Sequence, residues 1–235
     1  MPVLLLAQGD APARDAVRKA IEARYGMRPP VLDSLQIHFK GQFYTNIGPM
    51  DAWVPIEATA RFRFPAAMRW DFIIKPLNLP QRRGIEAFDG VHYRRVSDGK
   101  TVQIVEDEKQ ITSVRRRMWA IAAILLTPLS DMQVKLSTLE QGGIRASNIQ
   151  LGAHVDIQLQ QDNVLESVQV RCMNSETNTK QDFKIQLSQK LISMGALLLP
   201  DRIRMLWDHD PSMQLEPVSA KSNLDLPNNL FALSK

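Results

Sequence analysis

Cysteine is almost missing from this chain of 235 residues. Cys172 stands alone, which excludes an internal disulfide and any metal site built on paired cysteines. Linker-like stretches rich in Gly, Ser or Pro are missing too, and with them any internal domain boundary. Histidine is scarce: His38, His92, His154 and His209 sit singly, with no helical pair of the zinc-ligand kind. There is no G-x-S-x-G elbow, no phosphate loop and no Gly-rich dinucleotide fingerprint. Asp208, His209 and Asp210, beside Pro211, read as a polar turn rather than a metal site. The chain is therefore expected to be non-enzymatic, with no catalytic residue, cofactor or metal. Long hydrophobic runs are absent as well. The most apolar stretch has nine residues, from Met118 to Leu126, far short of the roughly 20 a membrane span needs.

What remains suits a protein that builds its own core, with 44% apolar and 23% charged residues. The net charge of +4 does not single out nucleic acid as a partner. Its arginines and lysines are spread along the chain and alternate with apolar positions, as Arg61 and Arg63 do, the pattern of a solvated sheet face. Aromatic residues that would stack bases fall instead on apolar faces.

Residues 10–26 (DAPARDAVRKAIEARYG) repeat apolar positions at Val17, Ile21 and Tyr25 and end on Gly26, which predicts an amphipathic helix. From Leu35 the period changes to two. Residues 35–43, 53–64 and 70–74 alternate apolar and polar side chains, and each predicts a half-buried strand. Asp89-Gly90 and Asp98-Gly99 predict tight hairpins. Residues 112–129 (TSVRRRMWAIAAILLTPL) then break the run of strands with a helix-forming composition, preceded by Glu106, Asp107 and Glu108, where a helix dipole favours acids. A helix this apolar must be covered by protein or ligand on several sides. Past Pro128 strands resume to residue 207, followed by an extended tail over 224–233. The total of about ten or eleven strands, nearly all joined by short turns, predicts one continuous antiparallel sheet curled to bury its apolar face.

That face supplies the candidate site. Phe39, Phe43, Ile56, Phe62, Trp70 and Phe72 fall on the inward sides of neighbouring strands, and Met118, Ile121 and Leu125 recur at helical spacing. Together they are the expected walls of an apolar cavity. Arg115, Arg116 and Arg117, at the amino end of the apolar helix, are the expected basic patch facing lipid headgroups.

The order of the pieces resembles the LolA/LolB superfamily of bacterial periplasmic lipoprotein-carrier-like proteins. The carrying segments are the first helix before LDSLQIHFKGQF, the strand ending in IEAFDGVHYRRV, the helix VRRRMWAIAAILLTPL, and LLLPDRIRMLW followed by LDLPNNLFALSK. The resemblance covers residues 14–235 as a single domain, with residues 1–13 expected to be the remnant of a signal peptide or leader. It implies a mainly β fold with helices, a half-open barrel lidded by helices around a hydrophobic cavity. It also implies lipid or lipoprotein acyl chains as ligands, transient contact with a membrane surface, a membrane-bound envelope protein as partner, and a periplasmic monomer. A sensing or protein-interaction module on the same fold, and a hydrolase of lipid-linked substrates needing His209, are the two alternatives.

Overall fold

Period-two stretches become strands and the two helical stretches become helices in the computed structural model, which describes residues 7–47, 50–76 and 80–233. Residues 1–6 of the expected leader lie outside the described residues. Gln8–Gly9 (β1) opens the described chain and runs parallel to a strand from the second half. Asp10 then caps helix α1 (Ala11–Tyr25), its Oδ1 accepting from the Ala13 amide at 2.8 Å, and Gly26 ends the helix at φ 65°.

Six strands follow: β2 (Ser34–Ile47), β3 (Met50–Arg63), β4 (Ala67–Ile74), β5 (Arg82–Phe88), β6 (Tyr93–Ser97) and β7 (Gln103–Val105). Helix α2 (Glu108–Ala123) and a 3-10 turn at Thr127–Ser130 lead into the second half. There β8 (Val134–Thr138), β9 (Ile144–Asn148), β10 (Ala153–Leu159), β11 (Leu165–Met173) and β12 (Lys180–Leu187) form a meander. A small separate hairpin, β13 (Leu191–Met194) with β14 (Leu197–Pro200), precedes β15 (Ile203–Trp207), β16 (Asp210–Ser222) and the short helix α3 (Asn228–Ala232).

Fourteen strands make one sheet in the order β1-β8-β9-β10-β11-β12-β15-β16-β2-β3-β4-β5-β6-β7, antiparallel throughout except at β1. The sheet is curled but not closed, and β1 and β7 are its free edges. The expected count was too low for three reasons. The segment 197–207 divides into β14 and β15, the short β1 and β13 carry no readable alternation, and β16 follows the expected polar turn, which forms at Asp208 and His209, in a stretch where no strand was predicted. Pro211 and Pro217 interrupt the pattern of β16; the register shift between Pro217 and Ser219 absorbs one residue as a bulge, leaving Val218 exposed. The tail predicted as extended forms α3 instead, with Phe231 fully buried.

β16 joins the halves, because it alone links β15 to β2. Its backbone comes so close at Gly41 that a Cβ there would lie 1.9 Å from the carbonyl oxygen of Gln214. Only glycine allows that approach.

Helix α2 starts four residues before the expected point because Asp107 caps it, Oδ1 accepting from the Lys109 amide at 2.9 Å. It stops at Ala123, earlier than expected, because Leu126 adopts φ 65° and Pro128 opens the 3-10 turn. The helix packs into the concave face against β10 and β11. Trp119 donates its indole N–H to the Ala146 carbonyl at 2.9 Å, and the Ser113 hydroxyl accepts from the Met173 amide at 2.8 Å. At its far end, Arg24 and Tyr25 of α1 donate to the carbonyls of Ile124 and Leu125, groups a helix terminus leaves unpaired. Val168, Val170 and Cys172 share the inner face of β11, with Cys172 buried. Among the described residues, no helix is long and apolar enough to cross a membrane.

Replacing Gly41 with Ala forces backbone apart at the seam and should lower stability by about 2 kcal/mol or more. A fall in the urea midpoint at unchanged slope is the expected reading; an unmoved midpoint would mean the two strands do not meet so closely.

Candidate functional site

Alternation along β4 sends Met68, Trp70, Phe72 and Ile74 to the concave face, where Phe43 of β2 and Ile56 of β3 join them. Across the hollow stand Phe183 of β12, Met205 and Trp207 of β15 and Met213 of β16. Phe183 and Trp207 pack with ring centroids 4.9 Å apart. Helix α2 turns Arg117 and Ile121, one helical turn apart, toward the same space. The result is a cavity of about 590 Å³, within the range that holds small apolar ligands. It exists because α2 lies on the β10–β11 side and leaves the aromatic wall of β4 uncovered. Its exposed rim carries Arg82, Arg83, Asp98 and Glu176, two charges of each sign.

Of the nine expected cavity residues, Phe43, Ile56, Trp70, Phe72 and Ile121 line this space. Phe39 lies behind the wall, its ring 5.9 Å from that of Trp70. Phe62 stacks on Phe64 and is 2% exposed, while Met118 at 2% and Leu125 at 1% are packed into the core. Leu125 also falls beyond the last residue of α2. The structure does not keep the triple arginine together. Arg115 lies over the Phe88 ring at 5.6 Å, Arg116 donates to the Arg171 carbonyl at 2.8 Å, and Arg117 points into the cavity.

Arg117 meets a group of residues absent from the expected site. Its Nη2 lies 3.4 Å from Glu86 Oε2 and 3.4 Å from the Tyr93 hydroxyl. Tyr93 donates to Glu86 at 2.8 Å and accepts from Arg95 Nε at 2.7 Å. The signal was present in the chain: Gly84, Glu86 and Phe88 alternate on one face of β5, so a carboxylate was bound to point inward. Burial opposes ionisation of Glu86, but Arg117, Arg95 and the Tyr93 hydroxyl outweigh it and hold the carboxyl below its ordinary range. Burial, reinforced by Glu86, raises the Tyr93 phenol, which stays protonated. Glu86 also raises Arg117, against its burial.

No histidine lines the cavity among the described residues. His38 sits on the outer face of the sheet, bonded to Gln36 and Thr59 beside a shallower hollow of about 410 Å³. His92, His154 and His209 are exposed. Among the described residues, no three potential metal ligands cluster.

The turn after β5 joins the strands that carry Glu86 and Arg95. Asp89 accepts from the amides of His92 at 2.7 Å and Val91 at 2.9 Å and from Arg94 Nη1 at 2.6 Å, while Gly90 takes φ 103°. Burial works against its ionisation, yet these donors hold the carboxyl down at about 2. A folded-state value below the unfolded one stabilises the fold above the ordinary value of 3.8, and that contribution is lost as pH falls toward 2. Asp89→Ala should therefore cost about 2 kcal/mol at pH 7, with parent and variant converging between about pH 4 and 2. Unfolding curves across that window decide it, and a pH-independent difference would overturn the assignment.

No family model and no curated protein matches the sequence. Solved structures do match in fold. A LolA superfamily protein from Nitrosomonas europaea aligns with a TM-score of 0.50 and 13% identity, covering 93% of this chain and 96% of that one. A DUF1329 family protein from Desulfovibrio piger aligns with a TM-score of 0.50 and 7% identity over 94% of this chain and 98% of its own. A domain from Vibrio parahaemolyticus, described as one of an outer membrane lipoprotein-sorting protein, aligns with a TM-score of 0.50 and 9% identity over 93% and 97%. In its curled, unclosed sheet with helices against the concave side, this chain has the LolA-like fold.

Proposed function

We propose that the protein is a non-enzymatic, periplasmic binding protein for lipid or lipoprotein acyl chains, a carrier in outer-membrane lipoprotein or lipid trafficking. The observation that carries this reading is the cavity between β4 and α2, with an aromatic and aliphatic wall and a polar rim. Burying an acyl chain there is worth about 0.8 kcal/mol per methylene. The fold shared with a lipoprotein-sorting domain supports the same ligand class. A single half-barrel domain acting as a monomer takes the chain past Arg82 and Arg83 at the rim, through transient contact with a membrane surface or a membrane-bound envelope partner.

Delipidated protein should take up a fatty acyl ligand, seen as added mass in native mass spectrometry and as displacement of an apolar dye. Ile121 is the helix residue to change, because it faces the cavity while Leu125 belongs to the core. Ile121→Asp should weaken uptake at least about tenfold with the circular dichroism spectrum retained, since an unpaired carboxylate on an apolar wall opposes burial of the chain. Absence of both bound lipid and dye displacement in the parent protein would sink the proposal; unchanged uptake by Ile121→Asp would place the ligand elsewhere.

A further inference from the structure

The charged cluster at the cavity is unbalanced, with Arg117 and Glu86 lining the space and Arg95 and the buried Tyr93 standing behind them. Two guanidiniums, Arg95 and Arg117, stand against one carboxylate, Glu86, and Tyr93 adds no charge. The rim does not correct this, since its two arginines are matched by Asp98 and Glu176. The imbalance is also one of hydrogen bonds. Arg117 reaches Glu86 and Tyr93 through Nη2 alone, and its Nε, like Nη2 of Arg95, is buried without an acceptor among the described residues. Buried donors of this kind are costly unless something accepts from them. Arg117 itself borders the cavity, its side chain 16% exposed, and Ile121 and the aromatic wall of β4 border the same space.

We infer that Arg117 receives the carboxylate of a free fatty acid, with the head inside the cavity against the Arg117–Glu86–Tyr93 cluster and the tail along Trp70, Phe72 and Ile121. A single negative charge cancels the excess, and the part of the Arg117 guanidinium that borders the cavity donates to a carboxylate oxygen. Glu86 holds Arg117 in place when the cavity is empty, and it sets how much of the cation's charge is left for the ligand. The inference rests on the acyl-binding reading above, but it concerns the head of the ligand and not its tail, so the two separate experimentally.

Dodecanoate and 1-dodecanol, alike in chain and different in head, are the probes, titrated at pH 8 by displacement of an apolar dye. The parent protein should bind dodecanoate at least about tenfold more tightly than the alcohol, the worth of one charge-assisted hydrogen bond. Glu86→Gln, which adds one positive charge to the cluster, should widen that preference. The double variant Glu86→Gln/Arg117→Gln should bind both ligands equally. Equal binding of the two ligands by the parent overturns the inference and leaves acyl binding standing, and so does a preference that survives in the double variant. Binding of neither ligand overturns both. If the double variant does not fold, the parent's preference and its change in Glu86→Gln still decide.

Discussion

The approach of two backbones at Gly41 governs this molecule. β2 and β3 form one long hairpin and β8 to β12 another set of neighbours, and each group alone would present a free edge at the place where they now meet. β16 occupies that place, pairing with β15 on one side and β2 on the other, with Leu215 fully buried opposite Gly41. Without a side chain at Gly41 the strands come closer than any other residue would allow, and the sheet continues across the chain's two halves. Everything placed on the concave face, the helix and the cavity included, depends on this continuity.

Helix α2 then divides the concave face unequally. Its hydrogen bonds at Trp119 and Ser113 and most of its packing lie on the β9–β11 side, and α1 caps its far end through Arg24 and Tyr25. Most of this apolar helix is therefore core. The cavity is the remainder, the space between Arg117 and Ile121 on one side and the β4 aromatics on the other. That origin explains why charge stands beside the aromatic wall: β5 and β6 bring Glu86, Tyr93 and Arg95 inward by the same alternation that brings aromatics inward on β4.

Much of this was legible in the chain. Alternation identified β2, β3 and β4 because each has one wet and one dry face, and Asp-Gly pairs located the hairpins around β6. β16 was not legible, since prolines at 211 and 217 break its period and a bulge shifts its register. The site was readable in part for a related reason. Period two tells which side chains point inward, but the placement of α2 decides which of them are covered, as Phe62 is, and which face open space, as Phe72 does. For the triple arginine, three successive helical positions point in three directions, so adjacency in sequence could not mean a shared patch. Glu86 was visible in the alternation of β5 and lacked only its partners, which come from β6 and α2.

Cys172 gives the chain a chemical property that its packing alone decides. Burial under α2 pushes its thiol up to about 11, even with Arg117 and Arg116 nearby to oppose the shift. A thiolate is the species that exchanges with disulfides and reacts with oxidants, and at neutral pH it is scarce here and has no path to solvent. The protein's single sulfhydryl is thus held in the protonated, buried form that exchanges least readily.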